Sequence, residues 1–85
     1  AKNEIDIAAL DPEGKNLILG ECKYWKEPVG LNVLHALEAK ACDVAWERDR
    51  RKVWYVLFSI SGFSDELRNH AATRDDLLLI DDGGR

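Results

Sequence analysis

Asp6, Glu21 and Lys23 are the residues of this 85-residue chain whose types and spacing fit a reaction. Glu21-Cys22-Lys23 closes the apolar run Leu17-Ile18-Leu19, and Asp6 stands within the strand-like stretch "EIDIAAL". A charge in such surroundings is costly unless it is paired or bound to metal. If the two stretches form a hairpin that turns at Glu13-Gly14, Asp6 falls opposite Glu21 and Glu4 opposite Lys23, with all four side chains on one face. Directly opposed residues have Cβ atoms about 4.5–5.5 Å apart, where like charges repel. A hard divalent cation between the two carboxylates relieves that repulsion, and Mg²⁺ takes oxygen ligands from one or two carboxylates together with water and phosphate. Lys23 then stands beside the ion, placed to stabilise charge on a phosphate oxygen or to help ready a water. The competing reading is an ordinary exposed ion-pair cluster with Glu4 and Lys26, contributing under ~1 kcal/mol. Register and composition alone do not separate the two.

The elements that must position these groups are legible in the pattern. Residues 4–10 alternate and are rich in β-branched types, "DPEGKN" is turn chemistry, and residues 17–24 form the second arm of the hairpin. After "KEPVG", apolar residues recur at helical spacing at Leu31, Leu34, Leu37, Ala41, Val44 and Ala45, which predicts a helix over 31–46. Residues 53–61 are apolar on both faces and read as a central strand, broken by Gly62. Ser64 is the expected N-cap of a short helix with Asp65 and Glu66 in its first turn and Leu67 facing inward. Residues 77–80 form the last strand. The order β-β-α-β-α-β predicts an α/β domain with a mixed sheet and helices over its faces.

The bulk numbers bound the function. The chain is one small domain spanning 1–85, 46% hydrophobic and 33% charged, hence globular. Its net charge of −4 makes it no general magnet for nucleic acid, so such contact needs a local basic patch. Cys22 and Cys42 lack metal-ligand spacing and read as reduced, buried thiols of a cytoplasmic protein. No apolar run approaches the ~20 residues of a membrane span. The absence of an initiator Met suggests a fragment or a processed chain. Arg48, Arg50, Arg51 and Lys52 read mainly as a solvated helix end, Trp54 as packing, and His35 and His70 as ordinary helix residues. Ser59, Ser61 and Gly62 read as a strand-end turn, and no phosphate-binding glycine motif or nucleophile elbow is present. Trp46 and Trp25 are possible base-stacking residues, and Trp25, just past the site, is the stronger.

"EID" on one strand and "GECKYW" on the next, followed by a helix, resembles the PD-(D/E)xK nuclease superfamily. With "LHALEAKA", "FSISGFSDEL" and the closing "LLLIDD", nearly the whole chain is similar to the nuclease-like C-terminal domain of archaeal and bacterial AAA-type ATPases. The resemblance implies a restriction-endonuclease-like fold that hydrolyses DNA phosphodiesters with Mg²⁺ or Mn²⁺ through in-line attack by water. It makes Asp6, Glu21 and the Cys22 carbonyl metal ligands and Lys23 the catalytic lysine, with Asp6 and Glu21 also part of the catalytic set. The family usually carries an acidic residue on a helix before the hairpin. That helix would lie upstream of Ala1, and Glu4 is its possible substitute. The implied partners are DNA and an ATPase domain of the same full-length chain. The rival is a catalytically inactive module of the same fold for DNA or protein binding, or a homodimer formed through an exposed sheet edge.

Overall fold

The computed structural model describes residues 5–44 and 52–81, with backbone alone at 43–44. The elements are β1 (Ile7–Leu10), β2 (Asn16–Lys23), α1 (Leu31–Val44), β3 (Lys52–Ser59), α2 (Asp65–Ala71) and β4 (Leu77–Asp81). They build a small α/β domain with one four-stranded mixed sheet in the order β1-β2-β3-β4. The expected element order is the observed one. Glu4, Trp46 and the run Arg48, Arg50 and Arg51 lie outside the described residues.

The hairpin has the expected register, with Ile7 opposite Gly20 and Leu10 opposite Leu17. Its turn differs from the expected two-residue loop. The Gly14 N–H donates to the Asp11 carbonyl at 2.9 Å and the Asp11 N–H to the Asn16 carbonyl at 3.1 Å, so Pro12 and Glu13 occupy the corner of a longer loop. Gly14 has φ +73°, a conformation glycine adopts without a Cβ penalty. Adding one residue to each arm of the loop leaves the pairing parity unchanged, so the same residues face each other. β1 begins at Ile7, and Asp6 sits in the bend just before it rather than inside the strand.

β2 pairs with β3 and β3 with β4 in parallel, joined by crossovers through α1 and α2. The strands are added in one direction, and crossovers of a single hand then place both helices on the same face. This replaces the expectation of helices over both faces. The core lies between: Leu17, Leu19, Leu57 and Leu77 from the sheet meet Val33, Leu34 and Leu37 of α1 and Leu67 of α2. Val33 is a core residue that the helical spacing did not single out. The opposite face carries Ile18, Leu78 and Ile80, all exposed, and no described helix covers it. Ser64 caps α2 as expected, its hydroxyl accepting the Leu67 N–H at 3.1 Å. Both cysteines are free, but Cys42 is exposed and Cys22 half-buried, not the buried pair expected, because each lies on a side of its element turned from the core.

Arg74 joins the layers. Its guanidinium reaches Glu38 of α1 at 2.8 Å and forks onto Asp76, just before β4, at 2.9 and 3.0 Å. The Arg74 hydrogen bonds hold the Asp76 carboxyl below the usual carboxylate range, against the opposing effect of its partial burial. No helix among the described residues is long and apolar enough to cross a membrane.

Candidate functional site

β2 carries Glu21 into the carboxyl-end region of the parallel strands, where ligands collect in open α/β sheets. Alternation puts Glu21 on the helix-covered face behind Leu17 and Leu19, and it is only 7% exposed. Such a carboxylate needs compensation. Two ammonium groups supply it. Lys23 Nζ lies 3.3 Å from Oε2, and Lys40 Nζ of α1 lies 3.5 Å from Oε1.

Asp6 meets the same segment from β1. The register makes Asp6 and Glu21 the next pair beyond Ile7 and Gly20. The Asp6 Oδ2 accepts the Cys22 N–H at 2.8 Å. A side-chain oxygen thus does the work of a ladder carbonyl, and β1 begins only after Asp6. This bond fixes the Asp6 carboxylate at the peptide that joins Glu21 to Cys22.

Glu21 and its two lysines border a cavity of about 150 Å³ between β2 and the first turns of α1. Glu21, Lys23 and Lys40 line it with Trp25, Asn32 and Val33. The carbonyl of Trp25 accepts the Ser61 hydroxyl, the Ile60 N–H donates to the Lys23 carbonyl at 3.3 Å, and the Val29 N–H donates to the Gly62 carbonyl at 3.0 Å. The loops after β2 and β3 are therefore laced together beside Trp25, and Ser59, Ser61 and Gly62 lie at the end of β3 as expected. Gly62 takes φ +80° within it.

The structure pairs Lys23 with Glu21 and holds Asp6 on the Cys22 N–H. It adds Lys40, which sequence reasoning missed. The signal was faint: Lys40 shares the helix face of Val33 and Leu37, and a lysine on a core-facing stripe invites a search for a buried acid. The donor set suits a hard cation, being two carboxylates and a peptide carbonyl, all oxygen. Among the described residues no cluster of three or more His, Cys, Asp or Glu forms, so an ion held here keeps most of its ligands as water or phosphate.

Other candidates lie elsewhere. Lys52 stands at the opposite end of β3, 3.4 Å from Asp75 and 4.2 Å from the Trp54 ring centre. The Trp54 N–H donates to Asn16 Oδ1 at 2.9 Å. His35 is exposed on α1, and a ring nitrogen of His70 is 3.2 Å from Arg74 Nη1. Comparison with known protein families, with curated proteins and with solved structures finds no match to this chain.

Proposed function

We propose that this chain is a restriction-endonuclease-like domain that hydrolyses DNA phosphodiesters with Mg²⁺ or Mn²⁺. The observation that carries the reading is the buried Glu21, gripped by two lysines in a cavity at the carboxyl ends of parallel strands, with the Asp6 carboxylate hydrogen-bonded to the adjoining Cys22 N–H. Asp6, Glu21 and the Cys22 carbonyl are the groups that would hold the cation. Bound there, it would neutralise phosphate charge and make water a better nucleophile. Two carboxylates and two ammonium groups leave the site near neutral by themselves, so a divalent cation makes room for an anionic phosphodiester. Lys23 and Lys40 bind the non-bridging phosphate oxygens and stabilise the charge that grows on them. The water oxygen bonds to phosphorus, the bond to the leaving sugar oxygen breaks, and that oxygen takes up a proton.

The test incubates plasmid and branched DNA with the protein and Mg²⁺ or Mn²⁺. Cleavage that Lys23→Ala and Asp6→Asn each reduce by at least about a hundredfold is the expected result. Cleavage indifferent to both substitutions rejects the assignment. One observation favours a second reading, a non-catalytic binding module attached to an ATPase: both Glu21 oxygens already have ammonium partners. Calorimetric titration with Mn²⁺ separates the two, because a module of that kind needs no ion at Asp6 and Glu21.

A further inference from the structure

The cavity at Glu21 is small and its floor is charged. At about 150 Å³ it accepts a phosphate group with its ion but not a whole nucleotide, so sugar and base must lie at the mouth. Trp25 stands there. Its side chain is outside the hydrophobic core and 40% exposed, a large aromatic surface left open beside a charged site. Its backbone is anchored, since its carbonyl accepts the Ser61 hydroxyl from the neighbouring loop. Its ring lies 5.0 Å from Lys23 Nζ, so the ammonium assigned above to the phosphate also rests against the indole. A phosphate bound by Lys23 would therefore have the indole as its neighbour across one lysine.

We propose that Trp25 is a stacking surface for a nucleobase next to the scissile phosphate, and that the substrate is DNA with an unpaired base at that point. The proposal rests on the phosphodiesterase reading above for the placement of the phosphate. Its physical reason is accessibility. In a continuous duplex each base has both faces covered by its neighbours, and an indole can take a face only where a neighbour has gone. A bulge, a flap or a junction provides one.

The experiment measures binding without divalent cation, by fluorescence anisotropy. The probes are a labelled duplex with one unpaired base and the fully paired duplex of the same sequence. Wild type is expected to favour the unpaired-base duplex by about tenfold. Trp25→Ala removes the preference and Trp25→Phe keeps most of it. Because the readout is a ratio of two affinities in one variant, partial loss of folded protein cancels. Equal affinities in wild type, or a preference that survives Trp25→Ala, overturns the proposal. Cleavage of the same two duplexes with Mn²⁺ is scored separately. Preference without cleavage sustains stacking and rejects hydrolysis. Cleavage without preference sustains hydrolysis and rejects stacking.

Discussion

Lys40 and Lys23 each hold one oxygen of Glu21, and their roles differ by origin. Lys23 belongs to the same strand and travels with the carboxylate. Lys40 arrives from α1, so it reports whether helix and strand are docked. Removing it releases one Glu21 oxygen and one positive charge. Lys40→Met is therefore expected to tighten Mn²⁺ binding in a calorimetric titration while slowing DNA cleavage on the order of tenfold. Effects in opposite directions are the signature of a lysine that competes with the ion yet binds phosphate. A lysine that merely packs would lower both. That Asp6 would meet β2 near Glu21 was legible from spacing because hairpin pairing is a local rule. Lys40 was not, because nothing in a helix's own sequence says which strand residue it will face.

At the scale of elements, the site depends on how closely β1 lies against β2. Gly20 makes that approach possible. A Cβ placed there would meet the Ile7 Cβ at 3.1 Å and the carbonyl oxygen of Val56 in β3 at 3.4 Å. The strand has no room on either side. Gly20→Val is expected to push β1 outward, carrying Asp6 away from the Cys22 N–H, and to lower stability by about 1–3 kcal/mol. Thermal unfolding gives the cost. Mn²⁺ affinity gives the displacement of Asp6, and should fall more than in a core variant of similar stability. A lowered transition with unchanged metal affinity would mean that Asp6 does not contribute to the ion site. The sequence announced a hairpin and its pairing parity, but it did not announce a four-residue loop or a strand that starts after Asp6. Turn hydrogen bonds and the Asp6–Cys22 bond settle those boundaries by competition among nearby donors.

For the whole molecule, the layers are joined at the edge by Arg74, which bridges Glu38 and Asp76 with modest exposure of all three side chains. Arg74→Met is expected to lower stability by about 1–2 kcal/mol at pH 7. The sign of its pH dependence follows from Asp76. The folded carboxyl titrates below its unfolded counterpart, so its stabilisation is complete above the unfolded value of about 3.9 and drains as pH falls through the folded value. The difference between wild type and variant should therefore be steady from pH 7 to about 5 and shrink below about 4. Chemical denaturation across that range checks it, and a deficit that stays constant into acid would assign the effect of Arg74 to packing over the Tyr55 ring, 5.7 Å away.

The sequence by itself determined the order of the six elements, the pairing parity of the hairpin and the Ser64 cap, because alternation, turn chemistry and capping act over a few residues. It thereby determined that Asp6 meets β2 at Cys22, next to Glu21 in the chain. Tertiary structure alone decided that both helices cover one face and that Lys40 closes on Glu21. Those outcomes depend on the hand of two crossovers and on how α1 settles over the sheet. They join groups far apart in the chain, and no short-range preference encodes them.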